Sequence, residues 1–521
     1  MSRREYASAV KRIAVGLRHI GLQDEDCVAL ISRNDMYYYI LADGAIAAGG
    51  CFAGLDKNAP SEQLAASIQA VDARWLFAEP GYLMQRTQDA AEALGIPRDN
   101  IVEFDDPHAA ASPQDHNDHR SFSSLLRYDE SAWKPYQGGR KPDDRPCHRI
   151  LTGGSTGPPK AVEISHTAAK LRGPMSVKLS SGGSGVSRPS DRKVLHVGDM
   201  HHISGIAMST STAMGLQMAY VSKTQPDASA IIDMIERYHI TAMTIGLRLV
   251  WEIVEVVQMH RRPRTALRTL KSVMLGAGFI SGFTVESLKG ILAEDARVQV
   301  AYGSSEAGGV SAVLPGQKYV PDHVGGIQKG VEIRIVDEAT MEEVLDDDEG
   351  EVCIRSPAMF SGYVNNRKAT ESTFFTDAQG LTWFRSGDKG RFSTIDQQLM
   401  ITGRFKENFK VGPDHVSPEE VEALLMEHAG VSDVAIASTA GRRNQGDIEP
   451  VAYVVRKGRG ITGQEAADFV ATRLSPYKAP TAGLVSCDQI PRTTFGKIAR
   501  RELNKIQGGE GSTGFIDLAR E

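Results

Sequence analysis

Hydroxyls, glycines and a lysine crowd into Thr152-Gly153-Gly154-Ser155-Thr156-Gly157-Pro158-Pro159-Lys160. Glycines let a backbone come close to a ligand and leave its N–H groups exposed. Three hydroxyls add donors and Lys160 adds charge, so the segment reads as a phosphate cradle. It is not the GxxxxGK[ST] loop, because Lys160 stands three residues beyond Gly157, after two prolines. Taken alone, a Gly/Ser linker is the competing reading.

Four later segments also carry chemistry. Tyr302-Gly303-Ser304-Ser305-Glu306 follows the apolar run Val298-Gln299-Val300-Ala301. It places hydroxyls and a carboxylate at a strand end, where α/β sheets bind ligands. Trp383-Phe384-Arg385-Ser386-Gly387-Asp388 offers an aspartate in a turn, suited to two ribose hydroxyls. Gly403-Arg404-Phe405-Lys406-Glu407-Asn408-Phe409-Lys410 is basic. Pro491-Arg492-Thr493-Thr494-Phe495-Gly496-Lys497-Ile498 sets a lysine after a glycine turn. Each of these alone is compatible with an ordinary turn.

The elements that must position these residues follow from periodicity. Ser2-Arg3-Arg4-Glu5 is a capping-box pattern. Tyr6, Val10, Ile13, Leu17 and Ile20 follow at helical spacing. Cys27 to Ile31 and Arg74 to Ala78 read as buried strands, and Tyr37 to Ala48 as a helix stopped by Gly49-Gly50. This alternation predicts an α/β fold with largely parallel sheets. Residues 105–148 are polar and read as a surface excursion. Residues 180–191 read by composition as a mobile loop. Beyond about residue 325 the period-two run Val331 to Val336, with Glu351 to Arg355, predicts an antiparallel, β-barrel-like subdomain. The last hundred or so residues predict a small α+β domain, with strands Val434–Ala437 and Val451–Val455 and a helix from Gln464 to Leu474. No internal repeat is present.

Composition bounds the function. The 521 residues suffice for about three domains. Hydrophobic content of 41% and charged content of 24% are ordinary for a globular chain. A net charge of −6 gives no reason to expect nucleic acid or an anionic membrane as partner. Cys27, Cys51, Cys147, Cys353 and Cys487 form no CxxC pair, and their number is odd. Inert thiols in a reducing compartment are therefore expected. No apolar stretch is long enough to span a bilayer. The N-terminus lacks a signal-peptide core and the C-terminus is not of the Ser-Lys-Leu type, so a cytoplasmic location is expected.

In order and spacing, the five segments together resemble the acyl-adenylate-forming superfamily, closest in type to acyl- and aryl-CoA ligases such as 4-coumarate-CoA ligase. The resemblance runs from about residue 5 to residue 505. It implies a large adenylation domain over 1–402, a hinge at 403–406 that includes Lys406, and a small mobile domain over 407–521. It implies that Thr152, Gly153, Gly154, Ser155, Thr156, Gly157 and Lys160 close over the phosphates of ATP. It further implies that Glu306 holds Mg²⁺. Gly276, Ala277, Gly278, Ala301, Tyr302, Gly303 and Ser305 would frame the adenine and the acyl group. Asp388 would bind the ribose with Arg404 nearby, and Lys497 would be the adenylation lysine. Lys410, Gly412 and His415 would form the face turned toward a thiol after domain rotation.

The chemistry fits that cast. A carboxylate must attack the α-phosphorus of ATP, so two anions must meet, and Mg²⁺ and lysines offset their repulsion. His201-His202-Ile203-Ser204-Gly205 aligns with a family HxxG element beside the acyl pocket, so His202 is a candidate to gate that pocket or touch the acid. A satisfied structural histidine is the alternative. No acidic residue occurs from His201 to Thr224. An α-amino acid is disfavoured as substrate, because a buried ammonium without a partner is costly. The expected pocket residues His202, Met208, Thr244, Ile245, Gly276, Ala277 and Ala301 suit an aryl or aliphatic acid.

Three departures from the family pattern stand out. Ala161 replaces a usual glycine and Ser305 a usual threonine. Lys410-Val411-Gly412-Pro413 replaces Lys-x-x-Gly, placing a proline where the family has glycine. The chain starts at the first helix and closes soon after Lys497, so no fused carrier domain is expected. Coenzyme A is the expected acceptor; a separate carrier protein, or amide formation, is the alternative. An inactive nucleotide-binding homologue is the competing class, and the presence of Glu306, Asp388, Arg404 and Lys497 argues against it.

Overall fold

The computed structural model describes residues 1–108, 120–136, 144–152, 159–180, 191–222, 226–276, 278–314, 316–440, 448–492, 498–506 and 515–516. The chain forms two compact units. One comprises Met1–Thr244, Gly303–Gly309 and Ser356–Phe374; the other comprises Ile245–Tyr302, Val310–Arg355 and Phe375–Glu521.

In the first unit, helix α1 (Arg3–Ile20) opens on the capping box expected at Ser2, with Glu5 returning to the Ser2 N–H at 2.6 Å. Its buried Ile13 and Leu17 face α2 (Met36–Ala47), which Asp35 caps by accepting from the Tyr37 N–H. At Gly44 a Cβ would fall 2.4 Å from Ile13, so glycine permits this close helix crossing.

These helices cover a sheet built from β1 (Cys27–Ile31), β2 (Cys51–Leu55), β3 (Ala73–Ala78), β4 (Ile101–Glu103), β5 (Arg120–Ser121), β6 (Pro146–Thr152) and β7 (Lys160–Ser165). With Gly362–Tyr363 at one edge the order is Gly362–Tyr363, β7, β6, β2, β1, β3, β4, β5. β6 to β5 are joined in parallel, whereas β7 runs antiparallel to β6. A second parallel set places Lys193–His196 between Met218–Val221 and Ala242–Ile245.

The polar stretch 105–148 is more than a surface excursion. It supplies edge strand β5, the fully buried Phe122 and Leu125, and the start of the buried strand β6. Polar residues inside β6 hid that strand. Arg149 is satisfied by the Val71 carbonyl at 2.8 Å and by Glu163 at 3.2 Å, so the sheet can bury it.

In the second unit, Ser272–Leu275 and Arg297–Ser304 run in parallel. An antiparallel sheet follows, in which Glu332–Val336 pairs Gly350–Arg355, that strand pairs Thr382–Ser393, and Thr382–Ser393 pairs Gln398–Arg404. A hairpin of Phe409–Val411 and Asp414–Val416 comes next, and then a sheet ordered Val431–Ala440, Ile448–Arg456, Leu484–Ser486, Phe515–Ile516. The helix expected from Gln464 to Leu474 is shorter, Gly463–Ala471. The last turn tightens, with Arg473 N–H bonding Val470 O, and Ser475 turns extended before Pro476.

All five cysteines are free, four of them buried. Burial pushes the Cys353 thiol up to about 12 and the Cys487 thiol up to about 11, which keeps both unreactive at neutral pH. Among the described residues no helix is long and apolar enough to cross a membrane. The segment 181–190, most of the expected loop, lies outside the described residues.

Candidate active site

Arg297–Ser304 ends in a tight reversal into Gly308–Ala312, and Glu306 sits in that reversal. A Cβ on Gly303 would lie 2.3 Å from the Gly308 carbonyl, so only glycine fits there. The Ala307 N–H donates to Ser304 Oγ at 3.0 Å, closing the turn. Tyr363 donates its hydroxyl to Glu306 Oε1 at 3.0 Å. Partial burial and the Glu306 carboxylate push the Tyr363 phenol above its ordinary value, so it stays a donor. Lys160, exposed at the start of β7, places its Nζ 5.1 Å from the centroid of the Tyr363 ring. Tyr363 thus links the loop lysine to the acidic turn. Thr152 ends β6 opposite Lys160 in the β6–β7 register.

Ser305 and Glu306 offer oxygen donors, the set a hard divalent cation prefers. Mg²⁺ commonly takes one or two carboxylates, with phosphates and water completing its shell. Among the described residues only one Glu306 carboxylate oxygen accepts a side-chain hydrogen bond, which fits that pattern. Among the described residues no group of three or more acidic, His or Cys side chains forms an all-protein metal cage.

The Asp388 turn lies in the second unit. Asp388 pairs directly with Arg404 in the register of adjacent strands. Arg404 Nε lies 2.8 Å from Asp388 Oδ1, and Tyr302 donates to Oδ2 at 2.6 Å. Asp388 raises the Arg404 pKa, and burial together with Asp388 raises that of Tyr302. The turn before Asp388 is fixed by Glu351, which accepts from Arg385 at 2.8 Å and from the Gly387 N–H at 3.0 Å. Gly387 has φ +71°, a conformation that favours glycine.

Lys406 is exposed in the turn after Arg404. Just before it Gly403 has φ +153°, and a Cβ there would press within 2.7 Å of Ser417 Oγ. Lys410 and His415 are cross-strand partners in the hairpin, both exposed. Gly412-Pro413 is its two-residue turn. Gly412 has φ +60° and proline fixes a negative φ, the order of signs that a type II′ hairpin turn uses. The proline that breaks the family pattern is thus accommodated by moving the glycine one step earlier.

His202 occupies the N-cap position of the helix Ile203–Ala213, and its ring centroid is 6.3 Å from that of His201. Burial lowers His201 to about 4, so that ring is neutral at neutral pH. Met208 is buried on the same helix, and Thr244 and Ile245 end the strand Ala242–Ile245. Gly276 lies beside Ala301, a Cβ there falling 3.4 Å from the Ala301 carbonyl. Gly153, Gly154, Ser155, Thr156, Gly157, Ala277 and Lys497 lie outside the described residues. Sequence reasoning missed Tyr363 and Glu351, whose partners are 57 and 34 residues away. The Ser361-Gly362-Tyr363 turn was the available signal for the first.

Residues 1–364 match the AMP-binding enzyme family and residues 420–497 the AMP-binding enzyme C-terminal domain. The chain belongs to the AMP-binding enzyme family. It is 29% identical over 505 residues to the acyl-CoA ligase azaF of Aspergillus niger, an alignment covering 96% of this chain and 92% of the relative. It is 28% identical over 504 residues to the phenylacetyl-CoA ligase epaB of Aspergillus niger, covering 96% and 91%. Its fold matches that of ATP-bound MatB from Rhodopseudomonas palustris, with TM-score 0.80 at 20% identity over 96% of this chain and 92% of that one.

Proposed function

We propose that this chain activates a carboxylic acid with ATP and Mg²⁺, forming an acyl-adenylate and releasing pyrophosphate, and then transfers the acyl group to coenzyme A. In the first step a carboxylate oxygen attacks the α-phosphorus and pyrophosphate leaves. In the second the thiol sulfur attacks the acyl carbon, AMP leaves, and the thiol proton goes to solvent. The observation that carries the reading is Asp388 held between Tyr302 and Arg404, an acceptor pair suited to a ribose. Relatives named as coenzyme A ligases support the acceptor.

Within this proposal Thr152, Ser155, Thr156 and Lys160 hold the phosphates and Glu306 holds Mg²⁺. Lys497 bridges the carboxylate and the α-phosphate. His202, Met208, Thr244, Ile245, Gly276, Ala277 and Ala301 line the acid pocket for an aryl or aliphatic acid. Residues 403–406 act as the hinge between 1–402 and 407–521, and Lys410, Gly412 and His415 meet the thiol. The location is cytoplasmic. The test is exchange of labelled pyrophosphate into ATP over a panel of aryl and fatty acids, followed by coenzyme A-dependent release of AMP. Exchange with no acid in the panel would sink adenylation. Exchange without coenzyme A turnover would shift the acceptor to a carrier protein or an amine.

A further inference from the structure

Arg172 is a buried cation that, among the described residues, takes no part in the contacts around Asp388. It lies on the helix His166–Ser180 and is 6% exposed. Among the described residues its guanidinium makes four hydrogen bonds, all to main-chain carbonyls. Nη1 donates to Ser305 O at 2.9 Å and Nη2 to Glu306 O at 3.1 Å. Nε and Nη2 donate to Ala358 O at 2.9 and 2.7 Å. No carboxylate side chain pairs with it among the described residues. Burial lowers its pKa to about 10, with Glu306 opposing the shift, so it stays charged at neutral pH.

Those carbonyls flank the acidic turn on both sides. Ser305 and Glu306 carry the turn itself. Ala358 starts the segment that leads through Phe360, whose N–H bonds the Glu306 carbonyl at 2.8 Å, to Tyr363, whose hydroxyl holds Oε1. Gly308, at φ +76°, lets the chain fold against the guanidinium, since a Cβ there would lie 3.3 Å from Arg172 Nε. A planar fork with fixed donors suits this task better than a flexible ammonium. Burying a charge without a counter-ion is costly, and a neutral donor would close the same turn at less cost. A fixed cation beneath a carboxylate gains value when a polyanion docks nearby.

We propose that Arg172 is a positioning residue for Glu306: it sets the direction in which the carboxylate meets a metal–nucleotide complex. The identity of the ligand rests on the acyl-adenylate reading.

The test is the Mg²⁺-dependent gain in ATP affinity, read by titration calorimetry on the full chain with and without Mg²⁺. R172Q is expected to lose about tenfold of that gain, the size of one charge-assisted contact, and R172K about threefold. Metal-free ATP affinity should change less than about twofold, which a loosened fold would not spare. E306Q should lose the gain too, and R172Q/E306Q should lose no more than E306Q alone. Should R172Q fail to fold, the R172K/E306Q cycle gives the same comparison. A full gain in R172Q or R172K, independent losses in the double variant, or no gain in the wild type would each overturn the proposal. A gain that responds to Arg172 in a chain lacking acid-dependent exchange would sink the acyl-adenylate reading and leave this one standing.

Discussion

Tyr302 donates to Asp388 Oδ2 at 2.6 Å while Arg404 Nε lies 2.8 Å from Oδ1, so each carboxylate oxygen is anchored by a different neighbour. A carboxylate has about four lone-pair sites, which leaves acceptor capacity on both oxygens. Two acceptors at a fixed spacing match a vicinal diol. The anchors differ in kind: the phenol gives direction, and the guanidinium gives direction and charge.

The first prediction follows from that asymmetry. D388A removes both acceptors and leaves Arg404 without its ion-pair partner. The ATP concentration for half-maximal pyrophosphate exchange should rise about 10–100-fold, since hydrogen bonds to charged groups contribute about 1.5–3 kcal/mol. Y302F keeps the carboxylate but frees one oxygen, and should cost about threefold. Exchange kinetics at varied ATP check both, and a larger effect for Y302F than for D388A would contradict the assignment.

The Gly412-Pro413 turn gives the second. Gly412 sits at φ +60°, where a side chain costs about 1–2 kcal/mol. G412V should distort the hairpin that pairs Lys410 with His415. If that face meets the thiol, thioester formation should fall at least about fivefold more than pyrophosphate exchange, about the size of that strain. Parallel assays of the two half-reactions give the ratio, and equal losses would remove the hairpin from the thiol step.

Much of this was legible because it is local. The capping box at Ser2, the apolar run Cys27–Ile31 and the period-two strand near Glu332–Val336 announce themselves within a few residues. The chemistry-bearing segments were legible as an ordered set. What stayed hidden depends on distant partners. Strand β6 carries His148 and Arg149, whose polarity masks a buried strand until Val71 and Glu163 are seen to satisfy the arginine. The setting of Arg172 depends on three carbonyl acceptors 133 to 186 residues away. The Gly412 turn was legible as a departure, but its φ was needed to show that the hairpin tolerates Pro413.

A third prediction concerns pH. Burial raises the Asp43 carboxyl from its ordinary value near 4 to about 6, against the opposing hydrogen bond from Tyr6 at 2.5 Å. The folded state therefore binds this proton more tightly than the unfolded state. Its contribution to stability is fully present below about pH 4 and is lost as pH rises through about 6, a change of about 3 kcal/mol. D43N mimics the protonated form and still accepts from Tyr6. The difference in Tm between D43N and the wild type should grow in favour of D43N from pH 4 to pH 7. Calorimetric scans across that range check it, and a constant difference would show that Asp43 does not titrate there.

The fourth prediction separates the two half-reactions. Lys497 is assigned by resemblance to bridge the attacking carboxylate and the α-phosphate, contributing charge rather than nucleophilicity. Two anions must approach in that step, so losing the cation raises its barrier, whereas thiol attack on a finished acyl-adenylate involves no such approach. K497A should lower acid-dependent pyrophosphate exchange by at least about a hundredfold, some 3 kcal/mol of transition-state stabilisation. Transfer from a supplied acyl-adenylate to coenzyme A should fall by less than about threefold. The two rates are measured on the same preparation. If exchange survives in K497A the lysine has been misassigned, and if both rates collapse together it serves the fold or both steps.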